Sequence, residues 1–377
     1  MGNRVGIITI ASLSVLIGCV RNSDCVPVYI INVETALKTE TSIFDLFEKV
    51  EVICLESPSI TNNVHSGEQY YDYYNGHIYI LDEASYKVNV YDTTGRKLFV
   101  GNFRGRGPGE YSMAYAIKVN QKTGTVNVLD PRGRIMEYKE ESDGLTFARE
   151  VDFSKYQVAT HHFTIDGDNC VLFDFTNQQP LAVFNLSTWN YRKIDYSLPE
   201  WYFKINLPHP FFEQDGKLCY FEQHDGTIYY IDPLSARLTK ASSFDFGNKG
   251  CRLADIPRNE TQDFYYDWIS TNAKYVTPIY RIVAHQANLY ANVVYDGLIH
   301  TIALYDGGAS FFFEQTKEGL RFVPGVSGDG SMYTFVEFAS MPEYVCPDIL
   351  SEASRAAYEK IIQEQGCGLI KYSYFSN

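Results

Sequence analysis

Residues 75–92 read NGHIYILDEASYKVNVYD, and this stretch contains the unit that predicts the fold. It begins with a turn, continues as an apolar strand, turns again at polar residues, and ends as a second apolar strand. Short runs of Val, Ile, Tyr and Phe between Gly, Asp and Asn are typical of strands joined by tight turns. The unit recurs at residues 123–138, 166–185, 215–232, 286–306 and, in a degenerate form, 328–338.

The spacing of these copies predicts a β-propeller. The glycines that open the first four copies, Gly76, Gly124, Gly167 and Gly216, are 48, 43 and 49 residues apart. A period of about 40 to 50 residues that carries four strands is typical of propeller blades. Six copies therefore predict an all-β protein with six blades. An up-and-down barrel or a sandwich is the structural alternative.

Three further segments complete this prediction. An aromatic insertion, roughly residues 248–275, delays the fifth copy. The ring must be closed by a strand, and EVICLES (51–57) and GLIKYSYF (368–375) are both candidates. Residues 348–365 break the strand pattern and predict a short C-terminal helix, with Asp348 or Ser351 as its N-cap. The four-residue spacing predicts a packing face on this helix formed by Ala353, Ala357 and Ile361.

The stretch GNFRGRGPGEYS (101–112) has the glycine content of a phosphate-binding loop but lacks its other features. A Walker loop ends in Gly-Lys-Ser/Thr and leads into a helix, so that backbone N–H groups face the phosphate. Here Glu110, Tyr111 and Ser112 follow instead, with no helical pattern behind them. We therefore expect this stretch to carry the chain from the outer strand of the first blade to the inner strand of the second.

The N-terminus predicts export. Arg4 precedes a short apolar run that ends at Leu16-Ile17-Gly18-Cys19, and this ending resembles the lipobox of bacterial lipoproteins. The resemblance implies a signal peptide over 1–18 and lipidation of Cys19. We expect a tether over 19–40 and the propeller over 41–377. The protein would then lie in the cell envelope, anchored by lipid on the periplasmic side or at the cell surface. A plain signal peptide or signal anchor is the alternative.

Bulk composition excludes some partners. The chain has 377 residues and a formal net charge of −14, which argues against nucleic acid as a partner. Its 30 Tyr and 24 Phe are expected mainly to pack in strands, although exposed rings could stack on sugars. The 8 Cys are scattered without zinc spacing. Cys346 and Cys367 flank the predicted C-terminal helix and could pair, but the sequence does not favour this disulfide. No metal or cofactor is expected.

The residues described so far resemble a known family. A lipobox, a first blade that ends in YDTTGRKLFVGNF, and RGRGPGEY directly after it resemble the six-bladed β-propeller lipoproteins of Bacteroidetes, distant relatives of NHL-repeat propellers. The likeness covers about residues 40 to 375. It implies a fold and a compartment, but no particular reaction. The long insertion before the fifth blade and the poorly patterned sixth blade depart from the family pattern.

The candidate ligand-binding residues form two groups. Alignment of the blades places Tyr115, His161 or His162, His209 and Tyr280 near the mouth of the central channel, where they could bind a ligand or a metal, or only pack or hydrogen-bond in the channel wall. The glycine-rich stretch adds Arg104, Arg106 and Glu110, which could hold an anionic ligand such as a uronate or pair with one another or a neighbouring blade. His77 and His224 are expected at the surface.

Asp82, Asp130 and Asp174 follow the second strand of their blades. They are expected to fix turns rather than to bind calcium.

These features favour a binding or scaffold module whose partner is a glycan, a peptide or an envelope protein. No nucleophile motif or metalloprotease motif occurs in the sequence. The alternative is a propeller-type glycan lyase or hydrolase with its site at the channel mouth. Such an enzyme should bring a His or Tyr and a carboxylate or Arg together in one concave site. A purely structural role in an envelope complex, through a surface such as the insertion, is a third hypothesis.

Overall fold

A computed structural model of the chain describes residues 26–56, 70–198, 209–256, 262–305, 308 and 310–376. The predicted signal peptide and the lipidation site Cys19 lie outside these residues. The described chain begins with four elements: β1 (Val28–Ile30), α1 (Val33–Ala36), α2 (Ile43–Leu46) and β2 (Lys49–Cys54).

Six sheets follow one another through the described residues and form the six predicted blades. Blade one contains β3 (Tyr71–Tyr74), β4 (His77–Leu81), β5 (Val88–Asp92) and β6 (Lys97–Gly101). Blade two contains β7 (Ala116–Val119), β8 (Val126–Asp130), β9 (Arg134–Glu141) and β10 (Gly144–Asp152). Blade three contains β11 (Thr160–Asp166), β12 (Asn169–Asp174), β13 (Leu181–Asn185) and β14 (Tyr191–Lys193).

The second half of the ring has the same order. Blade four contains β15 (Phe211–Gln214), β16 (Lys217–Phe221), β17 (Thr227–Asp232) and β18 (Arg237–Asp245). Blade five contains β19 (Ile279–His285), β20 (Asn288–Tyr295), β21 (Leu298–Leu304) and β22 (Ser310–Phe313). Blade six contains β23 (Val326–Gly328), β24 (Ser331–Glu337) and β25 (Cys367–Ser373), with β2 as its fourth strand.

Both predicted closing segments take part in blade six. GLIKYSYF supplies most of β25, the third strand, and EVICLES supplies most of β2, the outermost strand. The two strands pair antiparallel from Lys49 opposite Ser373 to Cys54 opposite Gly368. β2, which precedes blade one, therefore pairs with β25, the last strand of the described chain, and this pairing closes the ring.

Tight turns and buried aromatic rings explain why this sequence forms blades. At Asn75-Gly76 both residues have positive φ, 47° and 81°, as a two-residue hairpin turn of the favoured type requires. Fully buried tyrosines fill the seams between the blades. They are among the largest buried side chains of the protein: Tyr79, Tyr91, Tyr111, Tyr138, Tyr220, Tyr290, Tyr333 and Tyr372. Much of the Tyr content thus serves the core.

Residues 28–46, here called the N-terminal strap, run along the outside of the ring. β1 adds to blade four as a fifth strand, parallel to β18. Ile31 and Val33 are buried in the core shared by blades four and five. Ser42 caps α2 and donates a hydrogen bond to Glu318 at 2.5 Å. Part of the segment expected to be a tether therefore belongs to the fold.

The C-terminal helix is α5 (Glu352–Glu364), after α3 (Gln262–Thr271) in the insertion and α4 (Met341–Tyr344). Ser351 is its N-cap, whereas Asp348 lies in a preceding short 3-10 helix. Ile361 is buried in the core at blade six and Ala357 packs against the same core, as predicted. Ala353 was predicted wrongly: it is exposed, and Ser354 is buried instead. No helix in the described ranges has the length and apolar character needed to cross a bilayer.

Chain direction defines two ends of the ring. Because the strands of a blade alternate in direction, every connection from an outer strand to the next inner strand lies at the same end. We call this end the crossover face. It carries the glycine-rich stretch, the connection 314–325, the described parts of the insertion, and also the turns between second and third strands.

Candidate ligand-binding face

Buried carboxylates end the second strand of four successive blades on the crossover face. Asp82, Asp130, Asp174 and Glu222 each accept a hydrogen bond from the backbone N–H two residues later, at 2.8–3.0 Å. The turn role expected for the three aspartates is confirmed, and Glu222 is a fourth member that the sequence pattern did not reveal because it is not an aspartate. No group of three metal-ligating side chains occurs within the described ranges.

The glycine-rich stretch folds back into the seam between blades one and two. Tyr111 is fully buried, and its hydroxyl donates to the carbonyl of Tyr86 at 2.7 Å. The backbone N–H of Gly107 donates to Glu110 at 2.7 Å. Glu110 therefore orders the loop itself, whereas Arg104 lies over the Tyr86 ring at 5.3 Å and, like Arg106, is exposed.

At the channel mouth the structure brings together two of the predicted residues. The Tyr115 and His161 rings meet edge to face with centroids 4.6 Å apart, and the Phe175 ring centroid lies 4.9 Å from that of His161. Tyr115 directly precedes inner strand β7, and His161 lies near the start of β11. The mouth between blades two and three is thus aromatic in character.

His162 and His209 lie deeper and are both buried. Their ring centroids are 6.2 Å apart. The two ring nitrogens of His209 each lie 2.9 Å from a backbone carbonyl, those of Phe211 and Phe163. Burial, with Lys118 and His162 nearby, lowers the pKa of His209 well below its usual value. His209 is therefore a bridge between blades three and four.

Tyr280 is placed at the start of inner strand β19, as the alignment predicted. It packs against Cys251 and Ile256 of the insertion. Of the candidates at the mouth, Tyr115 and His161 therefore form an aromatic group beside blade three, whereas Tyr280 packs against the insertion.

The insertion encloses a cleft that the sequence did not reveal. It has a volume of about 530 Å³ and opens on the crossover face of blade four. The β16–β17 turn forms one wall, and the beginning of the insertion forms the other. Its lining residues are His224, Asp225, Phe244, Asp245, Phe246, Gly247, Asn248, Gly250, Cys251, Arg252, Asp255 and Tyr275.

Carboxylates dominate the charge of this cleft. Arg252 donates two side-chain hydrogen bonds to Asp255 at 2.8 and 3.0 Å, and this pairing lowers the pKa of Asp255. Asp225 accepts from the N–H of Thr227 at 2.9 Å, and Asp245 accepts from the N–H of Gly247 at 2.8 Å. With one carboxylate neutralised by Arg252, two remain for a ligand.

The cleft is lined by a His and a Cys, the residue types of a nucleophile pair. His224 is buried, contrary to the expected surface position, because its Nδ1 lies 3.0 Å from the hydroxyl of Thr277. Burial, followed by the nearby acidic groups, raises the pKa of the Cys251 thiol to about 12. Nucleophilic catalysis by cysteine needs a thiolate, which this environment disfavours at neutral pH.

The fold and this face together define a six-bladed propeller whose crossover face is elaborated by one large insertion. Residues 21–317 match the family described as "6-bladed beta-propeller" (DUF5128), and the chain belongs to that family. The predicted relationship to six-bladed propellers is confirmed.

Two solved structures share the fold. A protein from Bacteroides fragilis, described as a "Putative exported protein", is 16% identical with a TM-score of 0.68, and the match covers 93% of this chain and 100% of that chain. A member of the duf4221 family from Bacteroides vulgatus is 11% identical with a TM-score of 0.57, covering 88% and 98%. No relative was found among the curated proteins.

Proposed function

We propose that this protein is an exported, lipid-anchored propeller that binds a ligand, with a glycan as the leading candidate, in the cleft on its crossover face. The cleft carries the proposal: about 530 Å³ lies within the range of small-ligand sites, and aromatic and polar groups line it together. Export is supported by the apolar N-terminal run before Cys19 and by the similar fold of the Bacteroides fragilis protein that is described as exported.

Binding is better supported than catalysis. In the cleft, the raised pKa of Cys251 argues against a thiolate nucleophile. Below the channel mouth, His209 faces backbone carbonyls with both ring nitrogens, and at the mouth His161 contacts the rings of Tyr115 and Phe175. The lyase or hydrolase hypothesis needs an acid and a base in one concave site. The cleft contains a His, a Tyr, carboxylates and an Arg, so this alternative would have to use the cleft rather than the channel mouth.

The test uses soluble protein that starts at residue 26, so that the N-terminal strap is retained. A glycan array identifies ligands, and calorimetry measures the affinity of each for wild type, for Tyr275→Ala in the cleft and for His161→Ala at the mouth. We expect Tyr275→Ala to lose binding and His161→Ala to keep it. The reverse result would move the site to the channel mouth, where Tyr115, His162 and Tyr280 remain candidate contacts, as do Arg104, Arg106 and Glu110 beside it.

The lipid anchor has its own experiment. In cells that express the full chain, Cys19→Ser should abolish labelling by a palmitate analogue and release the protein from membranes. Cys25→Ser is the matched control and should change neither. Unchanged labelling of the Cys19→Ser protein would refute the anchor without affecting the cleft.

A further inference from the structure

The cleft has a chemistry that selects among glycans, and this inference rests on the proposed function. Apolar and polar groups line it in alternation: Phe244 and Phe246 are buried beneath it, whereas Asp245 between them is exposed. Tyr275 is half-buried. Its ring stacks on Trp268 with centroids 6.1 Å apart and has the Lys274 ammonium 4.9 Å from its centroid, and these two contacts hold it in place. Fixed aromatic surface beside hydrogen-bonding groups suits the C–H faces and hydroxyl groups of a pyranose.

The hydrogen-bonding groups are held in position before any ligand arrives. Asp225 and Asp245 each use one oxygen to accept a backbone N–H, from Thr227 and from Gly247. In the described part of the chain no hydrogen bond to their second oxygens is found, which leaves an acceptor on each. Arg252 is 81% exposed and is fixed to Asp255 through Nε and Nη2, so Nη1 can still donate. Such fixed groups bind hydroxyls with less loss of conformational entropy.

The charge of the cleft discriminates between ligands. Three carboxylates, the Arg252 guanidinium and the Lys274 ammonium, which lies 4.9 Å from the Tyr275 ring centroid, give a formal charge of −1 with His224 counted as neutral. A uronate or a sulfated sugar would add a like charge beside Asp225 and Asp245, which is unfavourable. A cationic peptide side chain would be attracted by the carboxylates, but it would be repelled by the Arg252 guanidinium. It would also offer no flat apolar face to pack against the aromatic rings of the cleft.

We propose that the cleft binds an uncharged saccharide and rejects its acidic counterparts. The carboxylates of Asp225 and Asp245 accept from sugar hydroxyls, Arg252 donates to a sugar oxygen, and Tyr275 packs on a pyranose face. The uronate predicted for Arg104 and Arg106 would then not be the ligand of this cleft.

Calorimetry with matched ligands tests the proposal: neutral oligosaccharides found on the array, the same chains carrying uronic acids, and an oligolysine peptide, each at low and high salt. We expect the neutral chain to bind with an affinity that changes by less than about twofold with salt, because no net charge is transferred. Asp245→Asn should weaken binding by about tenfold, since a carboxylate acceptor is stronger than an amide. Asp143→Asn, in an exposed turn of blade two, is the control and should leave binding unchanged.

Three outcomes overturn the proposal. If uronic-acid chains bind as well as neutral ones and cleft variants still remove binding, the saccharide class is wrong although the proposed function stands. Tighter binding of oligolysine that is lost at high salt would make the site one for cationic peptides. If no ligand binds, or no cleft variant alters binding, both this inference and the proposed site fail.

Discussion

Tyr111 in the GPGEY stretch offers a direct test of whether this stretch holds the blades together. Its side chain is fully buried in the seam of blades one and two, and its hydroxyl donates to the Tyr86 carbonyl at 2.7 Å. Tyr111→Phe removes only that hydrogen bond and should lower the free energy of unfolding by about 1 to 2 kcal/mol. Tyr111→Ala also removes the ring and should cost about 4 to 6 kcal/mol in total, because a cavity remains.

Urea denaturation followed by far-ultraviolet circular dichroism measures both free energies. Since domains are typically stable by only about 5 to 15 kcal/mol, the alanine variant should be close to unfolding. Ser112→Ala is a control in the same loop and should change the free energy by less than about 0.5 kcal/mol. A loss below about 1.5 kcal/mol for Tyr111→Ala would mean that the loop merely connects the blades, and equal losses for Phe and Ala would contradict the cavity argument.

Three further predictions concern protonation, reactivity and the strap. His209 has a lowered pKa when folded, so the unfolded chain binds more protons, and stability present above about pH 6.5 is lost as the pH falls. The free energy of unfolding of the wild type should therefore fall between pH 7.5 and pH 5.5. In His209→Gln this fall should be smaller by about 1.4 kcal/mol. The half-exposed His77→Gln is the control, and an unreduced difference would contradict the burial of His209. Iodoacetamide at pH 7.5 should label Cys251 only after unfolding, because burial raises its pKa to about 12; rapid labelling of the native protein, read by mass spectrometry, would refute this. Protein that starts at residue 38 lacks β1 and α1 and the buried Ile31 and Val33, so it should lose about 3 to 6 kcal/mol in urea denaturation compared with protein that starts at residue 26. Equal stability of the two proteins would show that the strap does not brace blades four and five.

The blades could be predicted because their signals are local. A strand with period two, a turn glycine such as Gly76 and a buried aspartate such as Asp130 occur within a few residues of one another, so each copy carries its own signature. The same holds for the Ser351 cap of the C-terminal helix. Ala353 was wrongly predicted to be buried. Helical periodicity identifies the buried face of a helix only to within about one residue, because the exact face depends on the surface that the helix packs against.

The candidate site was less predictable because it depends on distant contacts. The cleft joins the turn around Asp225, the end of β18 at Asp245, and Tyr275 at the far side of the insertion, and no spacing rule links these segments. The surface position expected for His224 was wrong because its ring contacts Thr277, which is 53 residues away in the sequence. The aromatic composition of the insertion was the signal that marked it as unusual.

The sequence by itself determined the all-β architecture, six repeats, the insertion and the helix, because hydrophobic period and turn chemistry act within a single hairpin. Only the tertiary structure decided which strand closes blade six, where the N-terminal strap lies, and which polar groups meet in a cleft. It also decided the protonation of His209 and Cys251, because the pKa of a buried group depends on the low-dielectric surroundings that other blades supply.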